Sequence, residues 1–176
     1  MAHPEQREFI EDVRRIWPEW FRDVSVLEVG SLNINGTIRD FFTGGSHIGV
    51  DLASGLGVDV VAFGEDLDYS DGSFDICIST ECFEHNPNWS ATFANMHRMA
   101  EKAVIFTCAT TGRAEHGTSN HHPGSSPFTP GDYYRNLDEA DFQRAFILDD
   151  MFSRYFFAVN PSSCDLYFWG LKGAVA

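Results

Sequence analysis

Glycine and polar residues follow the first apolar run in a pattern suited to binding a small-molecule cofactor. The run LEVGSLNING occupies residues 27–36, between a strand-like segment and a predicted helix. Gly30 has no Cβ, so the backbone can turn sharply there and approach a ligand closely. A helix beginning near Gly36 would add free N–H groups and the positive end of its dipole. Because open sheets bind ligands at the carboxyl ends of their strands, we predict a cofactor loop here.

The spacing within this loop argues against two common phosphate-binding motifs. A dinucleotide fingerprint needs glycines at positions 30, 32 and 35, but the chain has Leu32 and Asn35. The sequence also contains no GKS or GKT, which a phosphate-binding P-loop needs. An NAD(P)-dependent oxidoreductase is therefore a weaker alternative.

A carboxylate follows the loop at a suitable distance for a ribose. Asp51 ends the second predicted strand about twenty residues beyond the glycine loop, where an acid can accept both ribose hydroxyls. An acid at a strand end can also be a simple turn cap. The neighbouring loop favours the ribose interpretation.

Glu84 and His85 follow the fourth predicted strand and are the candidate catalytic residues. Histidine titrates near neutrality and can take a proton from an attacking hydroxyl or amine. The pair could equally stabilise the turn before Asn86 and Pro87.

Three further histidines, His116, His121 and His122, lie close together later in the chain. Their spacing is not a recognised ligand pattern, and histidines in loops are usually solvated. We therefore predict no metal site.

Strands alternating with helices must position these residues, which predicts right-handed βαβ units and a parallel sheet. The cysteines show no CxxC spacing and are interpreted as reduced thiols. The predicted strands cover residues 24–30, 47–51, 58–63, 74–80, 103–109, 153–159 and 165–171. The last two of these strands would form an antiparallel hairpin. The predicted helices cover residues 4–22, 36–42, 89–102 and 137–146.

Three segments, in this order and spacing, resemble the class I S-adenosylmethionine-dependent methyltransferases: LEVGSLNING, HIGVD and DGSFDICISTECFEH. The resemblance covers roughly residues 25–110 and is closest to compact bacterial methyltransferase domains. It implies a three-layer αβα sandwich with a Rossmann-like seven-stranded sheet in the order 3-2-1-4-5-7-6. It also implies methyl transfer from S-adenosyl-L-methionine.

The resemblance assigns the cofactor contacts by position. Glu28 and the loop from Gly30 through Ser31 and Leu32 to Gly36 would hold the methionine portion. Asp51 would bind the ribose, Leu52 would lie against the adenine, Gly64 and Glu65 would reach the adenine edge, and Ser79 and Thr80 would close the site beside the sulfonium.

Two positions depart from the family pattern. Phe63 stands where the family often has an acid for the adenine amino group, so stacking, Glu65 or Asp66 would hold the base instead. The glycine loop also lacks its usual middle glycine.

Length and charge limit the remaining possibilities. The chain has 176 residues, and we expect residues 1–176 to form a single domain. This domain would begin with a helix at 4–22 and contain a long loop at 110–136. A net charge of −14 repels phosphate backbones, which argues against a nucleic-acid acceptor. No segment resembles a signal peptide or a membrane span, so we expect a cytoplasmic location without membrane contact.

We expect the methyl acceptor to be a small molecule or a sugar, with a protein as the less favoured alternative. The oligomeric state is left open, and a homodimer is one possible assembly. A non-catalytic cofactor-binding subunit is the main alternative to an enzyme.

Overall fold

The computed structural model describes residues 3–173, which contain a single seven-stranded sheet ordered β3-β2-β1-β4-β5-β7-β6. Strands β1 to β5 pair in parallel, and β7 pairs antiparallel with both β5 and β6. The predicted strand order and terminal hairpin are confirmed. The strands are β1 (Ser25–Val29), β2 (Ser46–Asp51), β3 (Val60–Val61), β4 (Phe74–Thr80), β5 (Ala100–Ala109), β6 (Arg154–Asn160) and β7 (Asp165–Leu171).

Four α-helices lie in the described residues: α1 (Pro4–Ile16), α2 (Trp89–Met99), α3 (Glu139–Ala145) and α4 (Leu148–Met151). Helix α1 is shorter than the predicted helix at 4–22, because Pro18 cannot donate the next backbone hydrogen bond. A 3-10 helix at Pro18–Trp20 continues the chain instead. None of the helices in residues 3–173 is long and apolar enough to cross a membrane.

The two faces of the sheet carry separate hydrophobic cores. Alternating side chains of one strand point to opposite faces, so Leu27 packs on the α2 side and Val26 on the α1 side. Phe93 of α2 contacts rings of several neighbouring elements, including Phe106 of β5 and Phe168 of β7. These cores hold the carboxyl ends of β1, β2 and β4 at one edge of the sheet.

The predicted helix at residues 36–42 is wrong. The structure has only a 3-10 helix at Arg39–Phe41. Gly36 has φ 154°, and its N–H donates to the side chain of Asn33. The hydroxyl of Thr37 then accepts the N–H of Arg39, so local side-chain bonds compete with helix formation. No helix dipole therefore points at the cofactor loop from Gly36.

The chain between β5 and α3 is mostly irregular and folds back over the sheet edge. It contains two 3-10 turns, Pro123–Ser125 and Pro130–Asp132. The N–H of Arg135 donates to the carbonyl of Glu84, and the N–H of Leu137 donates to the carbonyl of Ala109. These bonds hold the segment against the carboxyl ends of β4 and β5.

Candidate functional site

An open cleft lies at the carboxyl ends of β1, β2 and β4. Residues 125–130 of the loop before α3 also line the cleft. Seven of the predicted site residues line the cleft: Gly30, Leu32, Asp51, Leu52, Gly64, Glu65 and His85.

Asp51 lies at the end of β2 with its carboxylate fixed by the backbone. One oxygen accepts the N–H of Leu32 at 2.9 Å, and the other accepts the N–H of Leu52 at 2.7 Å. Each carboxylate oxygen can accept more than one hydrogen bond. Asp51 can therefore hold the loop after β1 and still accept two hydroxyl groups of a ligand in the cleft.

Gly30 makes the turn out of β1 with φ 81°, a conformation that favours glycine. Its N–H and that of Ser31 both donate to the carbonyl of Val50, at 2.9 and 3.1 Å. A Cβ on Gly30 would lie 2.7 Å from the Cβ of Cys82. The missing side chain thus allows the ends of β1 and β4 to approach each other beside the cleft.

Phe63, which follows β3, lines the cleft together with Gly64 and Glu65. Its side chain is 46% exposed. Glu65 accepts hydrogen bonds from Asn88 and Thr92, both at 2.8 Å. Burial alone would raise the pKa of Glu65, but these bonds lower it overall. Glu65 is therefore charged and is tied to the start of α2.

The remaining predicted cofactor residues do not line the cleft. Glu28 is buried on the α1 side of the sheet, and its carboxylate bonds to Nε2 of His47 at 2.8 Å. Ser79 and Thr80 are buried at the end of β4. Ser31 is buried beside the β1 turn, and Gly36 lies further along the loop.

Glu84 and His85 occupy the 3-10 helix Phe83–His85 that follows β4. Both are buried; neither ring nitrogen of His85 has a hydrogen-bond partner within residues 3–173, and the carboxyl of Glu84 lies against that of Glu81. Burial raises the pKa of Glu84 to about 7. Burial, together with the neighbouring His116, lowers the pKa of His85 to about 3. His85 is therefore neutral at physiological pH.

The loop before α3 brings His116 and Tyr134 onto His85. The ring centroids of His85 and His116 are 5.0 Å apart, and those of His85 and Tyr134 are 5.5 Å apart. Gly117 lies so close that a Cβ there would come within 2.6 Å of the His85 ring. Neither His121 nor His122 joins the group of metal-capable side chains around His85.

Sequence reasoning missed Glu81, which lines the cleft beside Cys82. Glu81 follows β4 with a left-handed backbone, at φ 49°. Burial raises its pKa, and the nearby carboxylates of Glu84 and Asp165 add to the effect. Its place in the run STECFEH was a visible signal, because that polar run begins where β4 ends.

A second buried acidic group lies next to this end of the cleft but is matched by cations. Arg113 lies 3.2 Å from Asp165 and 4.0 Å from Glu81. His3 lies 3.3 Å from Asp165. This group is a salt-bridge cluster that connects the start of α1 to the ends of β4 and β7.

Comparison with known proteins agrees with this architecture. Residues 38–108 match the profile of a family described as a methyltransferase domain. No curated protein matches the sequence.

Solved structures share the fold at low sequence identity. The YcgJ protein from Bacillus subtilis is 12% identical with a TM-score of 0.64, covering 98% of this chain and 100% of that one. A second structure is 1,6-didemethyltoxoflavin-N1-methyltransferase from Burkholderia thailandensis with bound S-adenosylhomocysteine. It is 18% identical with a TM-score of 0.57, and the match covers 99% of this chain and 92% of that one. A third structure is magnesium protoporphyrin IX methyltransferase from Synechocystis PCC 6803, also with bound S-adenosylhomocysteine. It is 13% identical with a TM-score of 0.58, and the match covers 98% of this chain and 89% of that one.

The sheet order and the cleft at the ends of β1, β2 and β4 define the Rossmann-like fold of class I methyltransferases. The family match over residues 38–108 and the shared fold make the chain similar to the S-adenosylmethionine-dependent methyltransferases.

Proposed function

We propose that this chain transfers the methyl group of S-adenosylmethionine to an oxygen or nitrogen of a small-molecule or sugar acceptor. The observation that carries the proposal is one continuous cleft with two chemically different ends. Asp51 and Phe63 follow β2 and β3 on one side of β1, whereas His85 follows β4 on the other side, and residues 125–130 also line the cleft.

The first end suits the cofactor. The fixed carboxylate of Asp51 matches a ribose diol, and Leu52 and the exposed ring of Phe63 offer apolar surface for a base. The backbone turn at Gly30 leaves room for the methionine portion beside β1. When bound there, S-adenosylmethionine supplies an electrophilic methyl group on a positively charged sulfur.

The second end suits a small neutral acceptor. Alignment of an acceptor with the methyl group can supply much of the rate acceleration. The neutral His85 ring has a nitrogen lone pair that can accept a hydrogen bond from an acceptor hydroxyl. Its pKa of about 3 makes His85 a poor proton acceptor, so Glu84, with a pKa of about 7, is the better proton sink.

The surrounding charge narrows the class of acceptor. The chain carries a net charge of −14, which disfavours polyanions. A cytoplasmic site of action is part of the proposal and is supported by four free cysteines.

The decisive experiment combines a binding and a turnover measurement. Calorimetric titration with S-adenosylhomocysteine, NAD and NADP tests the cofactor. Release of S-adenosylhomocysteine from S-adenosylmethionine is then measured with a panel of hydroxylated metabolites, amines and sugars. We expect binding of S-adenosylhomocysteine alone among the three, and acceptor-dependent turnover. If S-adenosylhomocysteine binds but no small acceptor is methylated, the result would favour a non-catalytic subunit or a protein acceptor. Binding of NAD would contradict the proposal that S-adenosylmethionine is the cofactor.

A further inference from the structure

We propose that Glu84, His85 and His116 form a binding site for one divalent transition-metal ion of the Zn²⁺ type. One ligand atom from each of the three lies within 4.8 Å of the others. Around zinc, nitrogen and oxygen ligands lie at about 2.0–2.2 Å from the ion, hence roughly 3.3 Å from each other. Small side-chain rotations would close the difference.

The carboxylate is the first reason to expect an ion here. Glu84 is fully buried, no cationic side chain hydrogen-bonds to its oxygens within the described part of the chain, and the neighbouring carboxyl of Glu81 can pair with it only by sharing a proton. A buried carboxylate is costly unless it is paired, protonated or bound to a metal. The nearby Arg113 does not serve this purpose, because its guanidinium pairs with Asp165.

The imidazoles are the second reason. Both nitrogens of His85 lack a hydrogen-bond partner among residues 3–173, and its side chain is only 6% exposed. Its Nε2 lies 4.0 Å from Oε1 of Glu84. A neutral buried histidine without a hydrogen-bond partner therefore lies beside a buried carboxylate without a cationic partner.

The tautomer of His116 suits a metal ligand. Its Nδ1 lies 3.0 Å from the carbonyl of Ala114, which can only accept, so Nδ1 is the protonated nitrogen. The lone pair is then on Nε2. Metal-binding histidines commonly donate their second nitrogen to a backbone carbonyl in this way, which fixes both the tautomer and the ring.

The donor set selects the class of ion. Two imidazoles and one carboxylate suit zinc and its neighbours, whereas magnesium and calcium prefer sites made of oxygen atoms alone. Three protein ligands leave a fourth position open, as catalytic zinc sites do. His85 lines the cleft, so this position would face the acceptor end.

The role of the ion rests on the proposed function, but its binding does not. A bound ion could hold an acceptor oxygen and favour its deprotonated form. His85 would then be a ligand, and Glu84 would neutralise the ion. The spacing of His116, His121 and His122 along the sequence predicts no metal site, whereas the structure brings His116 together with Glu84 and His85.

The test is binding of Zn²⁺ and Co²⁺ to the full chain without a histidine tag, after treatment with a chelator. Calorimetry should show one equivalent of Zn²⁺, and Co²⁺ should give a visible spectrum without a thiolate charge-transfer band. His116→Ala should weaken Zn²⁺ binding by at least about 100-fold, since loss of an outer-shell partner alone costs 10- to 100-fold. Glu84→Gln should weaken it as well.

The control is the double variant His121→Ala with His122→Ala, in the same loop. It should bind Zn²⁺ as the unchanged chain does. Binding that survives His116→Ala, or that is lost in the control, would overturn the site. So would the absence of Zn²⁺ binding, or a preference for Mg²⁺.

S-adenosylhomocysteine titration on the same samples separates this proposal from the proposed function. His116→Ala should keep its cofactor affinity, which also shows that the variant is folded. Loss of zinc with retained cofactor binding supports the metal site. Cofactor binding by a chain that never binds zinc contradicts the metal site alone.

Discussion

Gly30 and Cys82 bring the ends of β1 and β4 so close together that no side chain fits at position 30. A Cβ there would lie 2.7 Å from the Cβ of Cys82 and 3.0 Å from its sulfur. The backbone of Gly30 also has φ 81°, which other residues rarely adopt. The sequence predicts that Gly30 allows a ligand to approach the backbone, and the packing against Cys82 requires a glycine at this position as well.

Gly30→Ala should destabilise the fold by about 2 to 4 kcal/mol. Left-handed backbone costs a non-glycine residue about 1 kcal/mol or more, and overpacking adds about 1 to 3 kcal/mol. Adding Cys82→Gly removes the crowding but not the backbone strain. Urea unfolding of the two single variants and the double variant should thus give a favourable coupling energy. Additive losses would show that Cys82 is not the obstacle.

Asp51→Ala should weaken S-adenosylhomocysteine binding by at least about tenfold. Hydrogen bonds to a charged group contribute about 1.5 to 3 kcal/mol each, and 1.4 kcal/mol corresponds to a factor of ten. The loss of the bond to the Leu32 N–H adds to the effect by loosening the cofactor loop. Asp68→Ala is the matched control, because the Asp68 carboxylate is exposed and does not line the cleft. Calorimetry measures the affinity of both variants for S-adenosylhomocysteine. A change below twofold for Asp51→Ala would place the ribose elsewhere.

Glu28→Ala should reduce stability more than it reduces cofactor affinity. The carboxylate bonds to His47 on the α1 side of the sheet, away from the cleft. Leaving a buried partner unsatisfied costs about 1 to 3 kcal/mol. Thermal unfolding and S-adenosylhomocysteine titration measure the two effects separately. An affinity loss as large as that of Asp51→Ala would instead support the methionine contact that the family resemblance implies.

The strands could be predicted from sequence because each is a short apolar run closed by a glycine, an acid or a polar residue. β4 is the clearest case, since FDICIST is buried and the polar residues begin where it ends. The segment at 36–42 could not be predicted in the same way. Its apolar residues suggest a helix, but Asn33 and Thr37 hydrogen-bond the backbone in a different conformation.

The site was only partly predictable for a related reason. Asp51 lies near the cofactor loop through adjacent parallel strands, which the βαβ pattern already implies. The contact of His116 with His85 depends on how a long irregular loop folds back, and no periodicity encodes that path. The left-handed backbone of Glu81 is likewise a consequence of its tertiary surroundings.

Phe63→Ala should weaken S-adenosylhomocysteine binding, because its exposed ring lines the cleft where the family often has an acid. Stacking of a base on an aromatic ring contributes about 1 to 3 kcal/mol, so we expect a loss of roughly 5- to 150-fold. Phe63→Tyr keeps the ring and should retain the affinity. Phe156→Ala is the matched control, since that ring is also 46% exposed but lies on β6, outside the cleft. If Phe63→Ala binds as tightly as the control, Glu65 or Asp66 rather than stacking holds the adenine.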